Sequence, residues 1–228
     1  MALLQAKDQQ YITDEFAKIL VHPVKLVVFT QDTDCEYCQD TRQITEEVAA
    51  LSPMVSLEVR DFNADKALAI QYGVDQVPAT VILRGGDQPK DYGIHYYGVP
   101  AGYEFTSLIQ DITMIGSGES GLSNATKQWA AALTKPVHLQ VFVTPTCPYC
   151  PPAVVLAHKL AMESDLIRAD MVEATEFPEL AEKYDVMGVP RTVINDNFFI
   201  EGAVPEAACS KNCKVLLRTE RTDEEAQD

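Results

Sequence analysis

The chain contains an internal repeat, and this repeat constrains the fold more than any other feature of the sequence. A shift of 112 residues superimposes the segment DCEYCQD (34–40) on TCPYCPP (146–152), each of which holds a C-x-x-C pair. The same shift superimposes YGVDQVP (72–78) on YDVMGVP (184–190), so 43 residues separate the first cysteine from the Val-Pro proline in both halves. Two matching landmarks at equal spacing predict two homologous units in tandem.

The Gly- and Ser-rich segment 116–123 marks the expected join, which gives an N-terminal unit of residues 1–119 and a C-terminal unit of residues 120–228. Short Val-rich runs at 26–29 and 137–143 predict buried strands that lead to the cysteine pairs. In each unit a helix, a strand, a short helix, two more strands and a final helix are expected to follow. The order predicts an α/β fold in which each unit has a mixed central sheet flanked by helices.

The composition is that of a globular protein, with 46% hydrophobic and 23% charged residues and a formal net charge of -16. Because binding to phosphate groups requires clustered Lys and Arg, we expect neither a nucleic-acid nor a membrane partner. The first residues lack a charged segment followed by an apolar one, and no apolar stretch approaches the roughly 18 residues of a membrane helix. We therefore expect a cytoplasmic protein.

The two C-x-x-C pairs could bind zinc, form structural disulfides or exchange thiols and disulfides. Ribbon-type zinc sites have their pairs about 15–20 residues apart, whereas these pairs lie in separate units, so we expect no metal site. A disulfide across two residues closes too small a loop to add much stability. In a reducing compartment such pairs are more often catalytic or metal-binding than structural. The spacing therefore favours two redox sites.

A cysteine at the beginning of a helix is a good nucleophile, because unpaired N–H groups and the helix dipole stabilise its thiolate. We expect Cys35 and Cys147 to attack a disulfide, and Cys38 and Cys150, one turn further into each helix, to resolve the mixed disulfide. The prolines at 151–152 are tolerated in a first helical turn and predict a helix that begins at Cys147.

The side chains around the two pairs differ in charge. Acidic residues surround Cys35, whereas Cys147 has uncharged neighbours. Because negative charge disfavours a thiolate, we predict a lower pKa and a more oxidising potential for the second site. The residues between the cysteines are expected to tune the sites, and the two tyrosines to pack at the rims: Glu36, Tyr37, Pro148 and Tyr149.

Two further cysteines, Cys209 and Cys213, are four residues apart in the predicted last helix. A disulfide within an unbroken helix would be strained. We interpret both as unpaired, partly buried thiols, with an auxiliary redox or metal role as the alternative.

A strand, a C-x-x-C pair at a helix start and a Val-Pro 43 residues later resemble the thioredoxin and glutaredoxin superfamily, and CPYC (147–150) is typical of glutaredoxins. The tandem arrangement with both pairs intact is similar to the protein disulfide oxidoreductases of thermophilic archaea and bacteria. The resemblance covers nearly the whole chain and implies two thioredoxin-like units with cis-prolines, Pro78 and Pro190, opposite the cysteines. It also implies that Val77 and Val189 bind the backbone of an extended substrate.

The resemblance implies a thiol–disulfide oxidoreductase with two sites of different potential that act on client proteins. Electrons would come from an NADPH-dependent flavoprotein of the thioredoxin-reductase type, and the acceptors would be client disulfides or a peroxiredoxin. No G-x-G-x-x-G follows a predicted strand, so we expect the chain to bind no dinucleotide cofactor itself. The alternatives are an electron-relay module, as in alkyl hydroperoxide reductase flavoproteins, and a holdase or assembly module that binds exposed chains.

The sequence departs from thioredoxin at two places. The Trp before the first cysteine is replaced by Asp34 and Thr146, and the buried Asp that precedes that cysteine has apolar counterparts, Val28 and Val141. A proton acceptor for the second cysteine must therefore come from elsewhere. Carboxylates on the following strands are candidates, and none is favoured over the others: Glu58, Asp61, Asp170 and Glu173.

Overall fold

The structure, a computed structural model, describes residues 3–209. The prediction for Cys213 lies outside the described residues. The helices are α1 (Ala6–Ile19), α2 (Cys38–Ala49), α3 (Lys66–Gln71), α4 (Glu104–Ser117), α5 (Asn124–Ala131), α6 (Cys150–Met162) and α7 (Pro178–Lys183). The strands are β1 (Val24–Thr30), β2 (Val55–Asp61), β3 (Ala79–Arg84), β4 (Lys90–Tyr97), β5 (Val137–Val143), β6 (Ile167–Glu173), β7 (Arg191–Ile194) and β8 (Phe198–Glu201).

All eight strands form one sheet in the order β2-β1-β3-β4-β6-β5-β7-β8. Within each unit the first two strands pair in parallel and the other pairs are antiparallel, which confirms the predicted mixed sheets. Strand β4 of the first unit pairs in parallel with β6 of the second, from Ile94–Ala169 to Tyr97–Val172. The two sheets are therefore continuous, and this pairing covers one edge strand of each unit.

The sheet is buried on both faces, which explains the Val-rich strands without polar alternation. Helices α1, α2, α4, α5 and α6 cover one face, where Phe16, Ile112 and Leu160 are fully buried. Helices α3 and α7 cover the other face, where Phe29 and Phe142 lie in a second core. Each fully buried side chain of this size stabilises the fold by about 1.5–3 kcal/mol. The result is a three-layer α/β fold built from two thioredoxin-like units.

The strand directions bring the loops that follow β1 and β5 to the same edge of the sheet. Strand β1 is antiparallel to β3 and β3 to β4, while β4, β6 and β5 are parallel to one another. Strands β1 and β5 therefore run in the same direction, with three strands between them. At about 4.8 Å per strand, their ends are about 19 Å apart.

A buried polar network joins the two units below this edge. Asp170 Oδ1 lies 2.9 Å from His95 Nδ1, Asp170 Oδ2 lies 2.6 Å from His138 Nε2, and Arg168 Nη2 donates to Oδ2 at 2.9 Å. Arg168 Nη1 also donates to the carbonyl of Gly73 in the first unit, at 2.8 Å. Burial alone would raise the pKa of Asp170, but the two His hydrogen bonds and the Arg168 charge hold it well below its ordinary value. The carboxylate is therefore ionised and holds the units together.

Candidate active site

Both C-x-x-C pairs form disulfides at helix N-termini, with Cα atoms 5.5 Å apart in each. Cys38 and Cys150 are the first helical residues, and Cys35 and Cys147 lie in the preceding turns. The prediction that the second helix begins at Cys147 is wrong, as is the placement of the second cysteines one turn further in. The N–H of Cys147 donates to the Thr144 carbonyl at 3.1 Å, and the N–H of Cys150 donates to the Cys147 carbonyl at 3.4 Å. The segment between them is therefore a turn.

In each pair the second sulfur is the deeper one. Cys38 is buried beneath a half-buried Cys35, and Cys150 is fully buried beneath Cys147, which is itself buried. The backbone N–H of Gln31 donates to Cys38 Sγ at 3.3 Å. The first cysteine of each pair is therefore the sulfur nearer to an approaching protein.

The residues between the cysteines lie at the surface. The side chain of Tyr149 is 72% exposed and that of Tyr37 is 36% exposed, so Tyr149 projects mainly into solvent. Glu36 is exposed beside Cys35. Pro148 lines a separate groove along α6.

The peptide bonds Val77–Pro78 and Val189–Pro190 are both cis, which confirms the isomers that the family resemblance implies. The next residues, Ala79 and Arg191, pair with Phe29 and Phe142 near the ends of β1 and β5. Each cis-proline therefore lies beside the strand end from which the chain continues to a cysteine pair.

A glycine follows the hairpin in both units because the backbone bends there toward the cis-proline. Gly98 N–H donates to the Pro78 carbonyl at 3.0 Å, and Gly202 N–H donates to the Pro190 carbonyl at 2.8 Å. Their φ angles are 99° and 75°, which L side chains rarely adopt. The repeated glycine thus anchors the cis-proline segment.

The backbones of Val77 and Val189 are available for hydrogen bonding. Within residues 3–209, neither N–H nor C=O of these two valines forms a backbone hydrogen bond. An extended polypeptide could pair with such groups as an additional strand does with a sheet edge. The geometry at both sites can therefore hold a polypeptide next to a disulfide.

A buried carboxyl group that the sequence did not reveal lies at the first residue of α4. Glu104 is only 1% exposed, and its Oε2 accepts a hydrogen bond from Ser107 Oγ at 2.6 Å. Its Oε1 has no hydrogen-bond partner within the described part of the chain. Burial raises the pKa of Glu104 to about 7, although the Ser107 hydrogen bond and the charge of His158 oppose the increase.

The packing of α4 against α6 brings Glu104 to the level of the second disulfide. Asp111 Oδ2 on α4 lies 2.5 Å from His158 Nδ1 on α6, and both helices begin at the cysteine edge of the sheet. Glu104 lies about two turns before Asp111 on α4, and Cys150 lies about two turns before His158 on α6. Glu104 and Cys150 are therefore at the same height along the two helices. The first unit thus places a buried carboxyl group at the level of the second disulfide. In the sequence, Glu104 looks like an ordinary first-turn glutamate.

The carboxylates considered from the sequence have other contacts. Glu58 forms ion pairs with Lys25 and Arg60. Asp61 accepts hydrogen bonds from the backbone of the turn that follows β2. Asp170 belongs to the network between the units.

Glu173 lies close to the first disulfide although it belongs to the second unit. A Cβ placed on Gly98 would lie 2.7 Å from Cβ of Glu173 and 3.0 Å from Cδ of Glu176. Glu176 Oε1 accepts a hydrogen bond from Val99 N–H at 2.8 Å. The pKa of Tyr37, between the first two cysteines, is raised by the charge of Glu36, by burial and by the charges of Glu176 and Glu173. The second unit therefore contributes carboxyl groups to the first site.

Two disulfides at helix N-termini, each beside a cis-proline on a mixed sheet, define a dithiol–disulfide protein of the thioredoxin class. The thioredoxin domain model matches residues 137–213. A protein disulfide oxidoreductase from Aeropyrum pernix K1 superposes with a TM-score of 0.84 at 31% identity, which covers 91% of each chain. The chain therefore belongs to the protein disulfide oxidoreductase family, and its chemistry is thiol–disulfide exchange.

A second group of similar proteins acts in peroxide reduction according to their names. The NTD_N/C domain of the alkylhydroperoxide reductase AhpF from Enterococcus faecalis superposes with a TM-score of 0.84 at 27% identity, covering 92% of this chain and 99% of that one. The F subunit of alkyl hydroperoxide reductase in Pseudomonas putida is 23% identical over 184 residues, which are 80% of this chain and 32% of that protein. The chain spans about a third of the length of the curated relatives that it matches.

Within residues 3–209, no cluster of three or more His, Cys, Asp or Glu side chains is arranged to hold a metal ion. The described helices are also too short or too polar to cross a bilayer.

Proposed function

We propose that the protein exchanges disulfides with client proteins at both cysteine pairs. The thiolate of Cys35 or Cys147 attacks a client disulfide and forms a mixed disulfide, and Cys38 or Cys150 then attacks that bond. The protein dithiol is oxidised to a disulfide, and the client disulfide is reduced to two thiols with the same two electrons. The observation that carries this proposal is present at both sites: a disulfide beside a cis-proline whose preceding valine forms no backbone hydrogen bond within residues 3–209.

Glu104 is proposed as the proton acceptor at the second site. Cys150 is fully buried, and its thiol must lose a proton before it can resolve the mixed disulfide. A carboxyl group with a pKa of about 7 at the same height along the neighbouring helix is well matched to this transfer at neutral pH. It replaces the buried acid that β5 lacks.

The two sites are proposed to differ in potential, with the second more oxidising. The contacts support the charge difference seen in the sequence, because Glu173 and Glu176 add to the acidic side chains around Cys35. Negative charge destabilises the thiolate and so lowers the potential of the first pair. Reduction potentials of the two single-site variants, measured in glutathione buffers, test this order. A potential of the first pair equal to or above that of the second would contradict it.

The proposed electron donor is an NADPH-dependent flavoprotein reductase of the thioredoxin-reductase type, and the chain is proposed to hold no cofactor of its own. Client protein disulfides and a peroxiredoxin are the proposed acceptors, and the cytoplasm the proposed location. The similarity to the AhpF component of alkyl hydroperoxide reductase supports a flavoprotein partner. The same similarity favours a second candidate function, an electron relay between a flavoprotein and a peroxiredoxin, because it extends over 92% of this chain.

Insulin reduction with dithiothreitol, followed by turbidity, tests the main proposal. We expect Cys35→Ser and Cys147→Ser each to lose part of the activity and the double variant to lose all of it. A chain-binding holdase would show no loss in any of the three. A relay would reduce insulin poorly but would transfer electrons from a reduced flavoprotein to an oxidised peroxiredoxin, which NADPH consumption measures.

A further inference from the structure

A groove of about 750 Å³ opens beside the first disulfide, between the two units. It reaches from Asp34 to Val77. The groove therefore includes the backbone of Val77, which forms no backbone hydrogen bond within residues 3–209. Its apolar walls come from both units, and its acidic side chains come mostly from the second. The lining residues that matter here are Asp34, Phe62, Val77, Glu176, Phe177 and Glu179.

The groove carries a net negative charge. Three carboxylates line it, from Asp34, Glu176 and Glu179, against one ammonium group, that of Lys183. The Lys183 ammonium is already hydrogen-bonded to the Tyr184 hydroxyl at 2.7 Å, outside the acidic group. The potential in the groove therefore favours a cationic occupant.

Two carboxylate oxygens next to the groove lack a donor. Glu176 Oε1 is held by the Val99 N–H, but the buried Oε2 has no hydrogen-bond partner within the described residues. Glu173, which is 1% exposed, accepts the N–H of Glu176 with Oε2 at 2.6 Å, and its Oε1 also lacks a partner there. Buried acceptors without donors are rare in folded proteins. An ammonium or guanidinium group in the groove would bring the opposite charge to Glu176, which lines it.

Within residues 3–209, no such acidic wall lies at the equivalent position of the second site. Gly98 and Gly202 are equivalent in the two units, since each donates its N–H to the carbonyl of a cis-proline. A Cβ on Gly98 would meet both glutamates, whereas a Cβ on Gly202 would meet nothing within 4 Å. The difference between the two sites is therefore one of shape as well as charge.

We infer that the groove binds an extended client segment with a Lys or Arg side chain close to its disulfide. The client backbone pairs with Val77, its cationic side chain pairs with Glu176, and its sulfur reaches Cys35. The first site thus selects cationic segments, and the second site does not. This inference rests on the proposed function, because the occupant is a client disulfide.

Two synthetic peptides test the selection. They are identical except that Lys or Glu flanks a single cysteine, which carries 5-thio-2-nitrobenzoate in a mixed disulfide. The reduced full-length protein is oxidised to its disulfide as the peptide thiol and the coloured thionitrobenzoate are released. The variant C147S/C150S isolates the first site and C35S/C38S the second. Burial raises the pKa of Glu176 to about 7, so the peptides are compared at pH 8, where this carboxyl group is ionised. We expect the first site to react about tenfold faster with the Lys peptide than with the Glu peptide, and the second site to show less than about twofold preference.

Glu176→Gln should reduce the tenfold preference to about threefold or less, whereas Glu182→Gln, at a residue of the neighbouring helix α7 that does not line the groove, should retain it. In the C147S/C150S variant that retains Glu176, about 0.5 M salt should likewise weaken the preference for the Lys peptide. Equal rates for the two peptides at the first site, or a preference unaffected by salt and by Glu176→Gln, would overturn the inference. Absence of thionitrobenzoate release from both peptides would instead overturn the proposed function.

Discussion

Replacing Glu104 by Gln should make the protein more stable and less active. The ordinary pKa of a glutamate is 4.5, and that of the folded protein's Glu104 is about 7. Because the unfolded chain loses this proton first, ionisation destabilises the fold progressively as the pH rises from 4.5 to 7, and fully above pH 7. The difference between the ordinary pKa and the pKa in the folded protein corresponds to about 3 kcal/mol in the free energy of unfolding.

We expect Glu104→Gln to raise the free energy of unfolding by up to about 3 kcal/mol at pH 8, because the buried charge is removed. At pH 4, where the carboxyl group of the original protein is neutral, the effect should be under about 0.5 kcal/mol. Urea unfolding of the oxidised protein at both pH values measures the change. Glu182→Gln is the control, since its side chain is exposed on α7 and should change neither value.

The same substitution should slow exchange at the second site by about 100-fold, the usual effect of losing a general base. Stopped-flow oxidation of the reduced C35S/C38S variant measures this rate. The increase in rate near pH 7 should disappear with Gln, and exchange at the first site should be unaffected. An equal stability change at pH 4 and pH 8 would refute the desolvation argument, and an unchanged pH profile would refute the role in proton transfer.

Two further substitutions test how the units position the sites. Gly102→Ala should impair the second site and spare the first, because Gly102 has φ 61° and an added Cβ would lie 2.2 Å from the Pro145 carbonyl oxygen. The backbone strain alone costs about 1–2 kcal/mol. Exchange rates measured separately on the two single-site variants would show which site is impaired, and equal losses at both sites would contradict the local contact. Asp170→Ala should lower the free energy of unfolding by about 3–5 kcal/mol at pH 7, because the buried His95 and the half-buried His138 and Arg168 lose their acceptor. Because the pKa of Asp170 is depressed, its contribution to the free energy of unfolding is present above about pH 4 and is lost at lower pH. If urea unfolding showed the same destabilisation by Asp170→Ala at every pH, this would argue against the ion network.

The sequence predicted the fold class because each unit is specified by local patterns. Val-rich runs, helical periodicity and equal spacing from cysteine to Val-Pro need only neighbouring residues to be interpreted. The start of α6 was mispredicted for the same reason. Prolines at 151–152 are compatible with a first turn at Cys147 or at Cys150, and the hydrogen bond from Cys147 to Thr144 decides between them.

The amino-acid sequence is sufficient to predict two homologous units, each with a cysteine pair and a Val-Pro 43 residues later, and the family resemblance adds the thioredoxin-like fold and the cis-prolines. Which acids of one unit lie near the cysteine pair of the other depends on the tertiary structure. Pairing of β4 with β6 brings Glu173 and Glu176 to the first site, and packing of α4 on α6 brings Glu104 to the second. A carboxyl group acquires its pKa and its partners from the groups around it in space. Some of those groups belong to the other unit, as His158 does for Glu104 and Val99 for Glu176, more than 40 residues away in the sequence.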